Sequence, residues 1–193
     1  MKLIFDLDDT LYKNEELREA REKAIHKYLK DKLPEFLELK KEYGTINSFK
    51  KMGIRREIFF EIMESVPIIL KEDKELMNIL KKLKESYKIF VLSNISSLCV
   101  KKTLESLGIL HLIDEYYGGD NFVTNKPSKE TFSMVEKGDI CIGNNFKKDL
   151  EIPKEKGAIA ILISQNSCSK ADYTIKNIYE LPNLIERFKN ASG

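Results

Sequence analysis

The sequence predicts an α/β fold whose doubly wound, mostly parallel sheet is flanked by helices and carries a helical insertion. Two observations predict this class. From Glu72 onward, helical patterns alternate with short apolar runs rich in β-branched residues, the order expected of parallel strands joined by helices. Between residues 14 and 71 the patterns indicate only helix and turn. We therefore expect an α/β core of residues 1–13 plus 72–193, interrupted by a helical domain at 14–71.

The first strand is predicted at Lys2–Leu7, and the helices of the insertion follow it. The first helix has apolar residues three and four positions apart, at Leu17, Ala20, Ala24, Ile25, Tyr28 and Leu29. The stretch EYGTIN at 42–47 interrupts the helical pattern, and the last helix of the insertion must end near Pro67.

The core sequence continues with helix and strand in turn. A helix with apolar residues at Leu76, Ile79, Leu80 and Leu83 precedes the strand KIFVLS, and the next helix ends near a favourable C-cap residue, Gly108. Further strands are predicted at DICIG, AIAILIS and YTI. A helix at 146–155 separates the first two of these strands, and a C-terminal helix follows the last.

Composition excludes several classes of partner and environment. Charged residues make up 33%, but Lys+Arg 33 against Asp+Glu 31 leave a net charge of +2, so nothing indicates a nucleic-acid partner. The longest apolar run, Ala158–Ile163, is far shorter than the roughly 20 residues that span a bilayer. The 3 cysteines show no C-x-x-C pattern and predict reduced thiols. We expect a soluble, cytoplasmic protein.

Polar residues follow three of the predicted strands, where a parallel sheet places its ligand site. These residues are Asp6, Asp8 and Thr10, then Ser93 and Asn94, then Gly143, Asn144, Asn145 and Asp149. Acids after a strand also occur in solvated turns, so the stretch DLDDT alone is compatible with either a catalytic site or a solvated turn. A calcium loop does not fit, because the glycine and the bidentate glutamate that such a loop needs are missing.

The order of four motifs adds a family resemblance. FDLDDTLY, VLSN, NKPSKETF and IGNNFKKDLE resemble, in this order, the four motifs of the haloacid dehalogenase (HAD) superfamily of phosphatases. The insertion is similar to the small helical cap of one branch, and EYGT with the following SFKKMGI is most similar to pyrimidine 5′-nucleotidase-like members. The resemblance implies a HAD-like Rossmannoid core with residues 14–71 as its cap.

The resemblance assigns chemistry to the acids of the first motif. It implies that Asp6 is the nucleophile, which forms an aspartyl-phosphate, and that Asp8 is the general acid and then the general base. Thr10 is expected to hold the loop through a local hydrogen bond. Asp9 is expected to be scaffold, with its side chain on the opposite side of the loop.

The second and third motifs supply phosphate-binding groups. Ser93 is expected to donate its hydroxyl to a phosphate oxygen, and Asn94 its backbone N–H at the start of the next helix. Lys126, before Pro127, is implied to be both catalytic and phosphate-binding, because its positive charge keeps Asp6 ionised and offsets the phosphate. The expected partner is a small phosphorylated metabolite.

The resemblance also implies Mg²⁺, held by Asp6, the backbone carbonyl of Asp8 and an acid of the fourth motif. Here the sequence departs from the family pattern, because the usual first acid of that motif is the amide Asn144. An amide oxygen can ligate a hard cation without contributing negative charge. We expect either weaker Mg²⁺ binding through Asn144 or a direct role for Asp149.

The predicted function is Mg²⁺-dependent hydrolysis of a small phosphate monoester. Nucleoside monophosphates are the first substrates to consider, with sugar phosphates and phosphoglycolate as alternatives. A weakened or phosphate-accepting regulatory protein is a second interpretation, favoured only by Asn144. Haloacid dehalogenation is a third, and Asp8 argues against it, because a halide leaves without being protonated.

Overall fold

A computed structural model describes residues 1–191, with side chains to residue 188. The chain divides into two compact units. One consists of Met1–Lys13 together with the chain from Leu70 onward, and contains the sheet; the other, Asn14–Ile69, is helical. No helix within the described residues is long and apolar enough to cross a lipid bilayer.

The sheet unit is built on six parallel strands in the order β3-β2-β1-β4-β5-β6. The strands are β1 Lys2–Phe5, β2 Lys88–Leu92, β3 Glu115–Tyr117, β4 Ile140–Gly143, β5 Ile159–Ile163 and β6 Tyr173–Ile175. The chain reverses its direction of growth between β1 and β4, and a crevice forms at such a point in doubly wound sheets. The predicted fold class is confirmed.

The helices of the described chain occupy both units. They are α1 Glu15–Leu29, α2 Leu33–Lys51, α3 Arg56–Glu64, α4 Lys74–Lys84, α5 Ser97–Ser106, α6 Glu151–Glu155 and α7 Leu181–Ala191. The first three form the helical unit. The predicted interruption at EYGTIN is present inside α2, where Gly44 has φ 73° and ψ 172°, a backbone conformation outside the helical region.

The structure refines two predictions of secondary structure. The helix expected at 146–155 is present over these residues, but its first half is a π-helical turn, Phe146–Leu150, and its second half is the short α6. Pro153, inside α6, favours this change of helix type, because its ring nitrogen cannot donate to the carbonyl of Asp149 and a proline ring in a helix crowds the carbonyl four residues earlier. Strand β3 was not predicted, because three residues without apolar alternation carry too little pattern.

The core of the sheet unit packs on alternate residues of the central strands. One cluster of buried apolar residues consists of Ile4, Phe90, Leu92, Phe132, Val135, Cys141, Leu150, Ala158, Ala160 and Leu162. Residues two apart in a strand share a face, so this cluster covers one side of the sheet. Close packing of this cluster against one face of the sheet therefore holds β1, β2 and β4 in place.

The helical unit has its own aromatic core. The Phe49 ring packs edge-on against Phe36 and Phe59, with ring centroids 5.6 and 5.9 Å away, and stacks on Tyr28. Phe36 and Phe49 are fully buried. Such contacts contribute roughly 0.5–1.5 kcal/mol each beyond burial of their area. They fix α1, α2 and α3 as one compact unit.

Candidate active site

The loop after β1 presents Asp6 in a fixed orientation. Its backbone N–H continues the sheet by donating to the Ile142 carbonyl at 2.9 Å. Its carboxylate oxygen Oδ2 accepts a hydrogen bond of 3.0 Å from the Thr10 hydroxyl. The turn is closed by the Thr10 and Leu11 N–H groups on the Leu7 carbonyl, and Asp9 lies within it at φ 59°. Thr10 thus makes the local hydrogen bond that was predicted, and its partner is Asp6 itself.

Lys126 is the buried cation of the site. Its Nζ lies 2.6 Å from Asp6 Oδ1 and 2.9 Å from Asp149 Oδ1, and it donates to the Leu92 carbonyl at 2.8 Å. Burial alone would lower the pKa of Lys126, but the charges of Asp149 and Asp6 outweigh it and raise that pKa above its usual value. Lys126 is therefore charged, and it joins the loop after β1 to the segment after β4.

Asp149 is the second buried carboxylate. Burial, followed by the charge of Asp6, raises its pKa, and Lys126 only partly opposes this effect. Its Oδ2 accepts the Asn145 N–H at 3.1 Å, and its buried Oδ1 lies 2.9 Å from Lys126 Nζ. Gly143 makes room for it, because a Cβ there would lie 2.5 Å from the Asp149 Cβ.

The predicted place of Asn94 needs correction. Helix α5 begins at Ser97 and is capped by the Ser96 hydroxyl, so Asn94 precedes the helix rather than starting it. Its side-chain amide instead pairs with the backbone of Lys126, accepting the Lys126 N–H at 2.8 Å and donating to the Lys126 carbonyl at 3.0 Å. This two-point contact aligns the loop that carries Lys126.

The remaining predicted residues lie at the same edge of the sheet. Ser93 is buried at the end of β2, where its hydroxyl oxygen accepts the Ile95 N–H at 3.4 Å. Asn144 is exposed directly after β4, at the start of the segment that leads to Asp149. The structure thus brings Asp6, Lys126 and Asp149 into direct contact and places Ser93 and Asn144 at neighbouring strand ends.

Asp8 has a partner that the sequence analysis missed. The Tyr12 hydroxyl donates to Asp8 Oδ1 at 2.5 Å, and the two residues also form an isolated β-bridge. Asp8 and Tyr12 are both partly buried. The four-residue spacing in DDTLY is the only sequence signal that relates them.

The residues of the site fit a hard cation in charge and in donor chemistry. Asp6 and Asp149 carry two buried negative charges against one positive charge, on Lys126. Carboxylate, carbonyl and amide oxygens are ligands that Mg²⁺ accepts. Within residues 1–188, no group of three or more acidic, histidine or cysteine side chains could hold a metal ion by itself. Asn144 is an amide, so it would contribute an oxygen ligand without a negative charge.

Comparison with known proteins assigns the family. The sequence pattern of the haloacid dehalogenase-like hydrolases matches residues 3–138. The chain belongs to the haloacid dehalogenase-like hydrolase family. The family prediction is thereby confirmed, while the narrower similarity to pyrimidine 5′-nucleotidase-like members stays a prediction. No curated protein matches this hydrolase.

Solved structures share the fold of this hydrolase over nearly its whole length. A HAD phosphatase from Thermococcus onnurineus is 22% identical, with 96% of this chain and 98% of that chain aligned and a TM-score of 0.67. A 2-haloacid dehalogenase from Pseudomonas syringae pv. tomato is 18% identical, with 97% and 99% aligned and a TM-score of 0.62. YfnB from Bacillus subtilis, in a magnesium-bound structure, is 16% identical, with 96% and 98% aligned and a TM-score of 0.65.

Proposed function

We propose that this hydrolase cleaves small phosphate monoesters in a Mg²⁺-dependent reaction through an aspartyl-phosphate on Asp6. The observation that carries the proposal is Asp8, a second carboxylate in the loop after β1, held by a hydrogen bond from Tyr12. The alkoxide released from a phosphate ester needs a proton, whereas a halide does not. A positioned second acid therefore favours phosphoryl transfer over dehalogenation.

In the first step, a carboxylate oxygen of Asp6 attacks phosphorus while the bond from phosphorus to the ester oxygen breaks. Asp8, in its protonated form, gives its proton to that oxygen, and the alcohol leaves. In the second step, Asp8 as a carboxylate takes a proton from a water molecule that attacks the aspartyl-phosphate. The bond from phosphorus to the Asp6 oxygen then breaks, which releases inorganic phosphate and restores both side chains.

The other residues prepare Asp6 and offset charge. Lys126 holds Asp6 by the 2.6 Å contact and supplies a fixed positive charge close to the transferred phosphoryl group. Ser93 supplies a hydroxyl, and the Asn94 backbone N–H supplies a second donor near the end of β2. Mg²⁺, held by Asp6, the Asp8 carbonyl, Asn144 and Asp149, would neutralise phosphate charge when bound.

The substrate proposed is a small phosphorylated metabolite. Nucleoside monophosphates come first because of the similarity of EYGT to pyrimidine 5′-nucleotidase-like sequences, and sugar phosphates and phosphoglycolate follow. In this proposal residues 1–13 with 72–193 are the catalytic core and 14–71 are the cap that selects substrate. The protein would act in the cytoplasm, without a nucleic-acid or membrane partner.

Asn144 favours a second candidate, a protein that accepts phosphate on Asp6 and holds it. An amide in place of an acid reduces the negative charge available to a metal ion, and the second step would be slow if the charge of the phosphoryl group were poorly offset. The two candidates differ in a measurable way. The first predicts multiple turnover, and the second predicts one phosphate per protein, retained as an acyl phosphate.

The test is phosphate release from nucleotides, sugar phosphates and phosphoglycolate, with and without Mg²⁺, alongside halide release from 2-haloacids. We expect turnover of a few phosphate esters, abolished by Asp6→Asn and reduced about 10²–10⁴-fold by Asp8→Asn, the usual range for loss of a general acid–base group. Asp9→Asn is the matched control and should retain activity. Near-normal hydrolysis by Asp6→Asn, or halide release without phosphate release, would refute the proposal.

A further inference from the structure

Two contacts join Asp8 and Tyr12 in the loop after β1, one between their backbones and one between their side chains. The backbones of the two residues form an isolated parallel bridge, and the phenol donates to Asp8 Oδ1 at 2.5 Å. A hydrogen bond from an O–H donor to an ionised carboxylate is roughly twice as strong as one between neutral groups. The bridge fixes the two backbones, and the phenol fixes the rotation of the Asp8 side chain.

We infer that Tyr12 is a positioning residue that orients Asp8 for proton transfer, an inference that rests on the phosphatase function proposed above. In a protonated Asp8, the oxygen that accepts from Tyr12 is the carbonyl oxygen, so the acidic proton resides on the other oxygen, Oδ2. Tyr12 thus assigns Oδ2 as the atom that gives a proton to the leaving oxygen and later takes one from water. It does not itself touch the substrate.

The alternative is that Tyr12 only packs its ring within the loop. The two roles separate by leaving group, because p-nitrophenolate departs without needing a proton and an alkoxide does not. In the first step, which kcat/KM reports, a residue that orients the acid matters for alkyl phosphates and hardly for p-nitrophenyl phosphate, whereas the second step is the same for both substrates. A residue that only packs affects both substrates equally.

The experiment compares kcat/KM, which reports the first step, for an alkyl phosphate and for p-nitrophenyl phosphate in the intact protein and in Tyr12→Phe, which keeps the ring. We expect Tyr12→Phe to lower kcat/KM for the alkyl phosphate by about 10- to 100-fold, the cost of misplacing a catalytic group by about 1 Å. The change in kcat/KM for p-nitrophenyl phosphate should stay below about 3-fold by the same reasoning. The ratio of the two rates comes from one sample, so any loss of folded protein cancels.

Two further proteins complete the test. In an Asp8→Asn background, Tyr12→Phe should have no additional effect, because the group that it orients is gone. Tyr179→Phe is the matched control, since it removes another tyrosine–aspartate hydrogen bond of 2.5 Å, to Asp73, outside the catalytic residues, and both rates should be kept.

Equal losses for the two substrates, or full additivity of Tyr12→Phe with Asp8→Asn, would overturn the role of Tyr12 and leave the phosphatase function standing. If the unmodified protein hydrolysed neither substrate, nor any phosphate ester of the wider panel, the proposed function and this inference would fall together.

Discussion

Replacement of Lys126 by methionine should destabilise the protein strongly. The ammonium group of Lys126 lies between two buried carboxylates, 2.6 Å from Asp6 and 2.9 Å from Asp149, and its side chain is only 2% exposed. Methionine has a similar length but no charge, so both carboxylates would remain buried without a counter-charge. Removal of one partner from a buried ion pair costs about 3–5 kcal/mol. Total stabilities are typically about 5–15 kcal/mol, so Lys126→Met would be near its limit of stability.

The pH dependence of this loss has a definite sign. Burial and Asp6 already raise the pKa of Asp149, and loss of Lys126 would raise it further. Between the unfolded value of about 3.9 and the raised folded value, the native variant binds more protons than the unfolded chain. Its free energy of unfolding therefore increases as the pH falls through that raised folded value, and its deficit relative to the unmodified protein is largest at neutral pH and above.

Urea unfolding followed by circular dichroism between pH 5 and pH 8 measures this prediction. The double variant Lys126→Met with Asp149→Asn should recover a large part of the loss, because only one buried carboxylate remains. Lys154→Met is the matched control: it breaks a partly exposed ion pair with Asp172 at 2.7 Å and should cost about 1 kcal/mol or less. A loss below about 1 kcal/mol at pH 7 for Lys126→Met, or a deficit that grows in acid, would refute the reasoning.

Two further predictions concern the segment after β4. Asn144→Asp should tighten Mg²⁺ binding by about 10- to 100-fold, the usual scale for changes around a metal site, and calorimetric titration of the phosphate-free protein measures it directly; an unchanged Kd would remove Asn144 from the proposed ligand set. Gly143→Ala should destabilise the protein by about 1–3 kcal/mol through overpacking, because the added Cβ would meet the Asp149 Cβ at 2.5 Å, and it should also impair hydrolysis; wild-type thermal stability and activity would contradict this.

Much of the fold could be predicted because hydrophobic periodicity is a local property. The strands at KIFVLS and AIAILIS contain apolar runs of four and six residues, and the structure has them as β2 and β5, shortened by one residue at one or both ends. Strand β3 carries no such pattern, and it forms a strand because it pairs with β2, which is distant in the sequence. The change from a π-helical turn to α6 near Pro153 also has a local cause, but the pattern of apolar residues at 146–155 predicts only a helix and not its type.

The site could be predicted in part, because strand ends in a parallel sheet meet at one edge. That rule alone brings together Asp6, Ser93 and Asn144, which follow β1, β2 and β4 directly. Lys126 does not follow a strand, and it was found only through the resemblance of NKPSKETF to a family motif. Its contact with Asp6 joins residues 120 positions apart, and the spacing of apolar residues along the sequence cannot predict a contact over that separation.

The misplacement of Asn94 shows why chemistry inferred from one motif at a time is incomplete. A residue after a strand and before a helix suggests a backbone N–H that binds an anion, and nothing nearby in the sequence suggests another role. In the structure the Asn94 side chain hydrogen-bonds to the backbone of Lys126, 32 positions away. Its amide group donates to the Lys126 carbonyl, and its oxygen accepts from the Lys126 N–H. Because a buried peptide N–H or carbonyl without a hydrogen bond destabilises a protein, an amide side chain that satisfies both groups of Lys126 stabilises the loop that carries this lysine. The second and third motifs therefore act as one unit, in which the second motif aligns the cation that the third supplies.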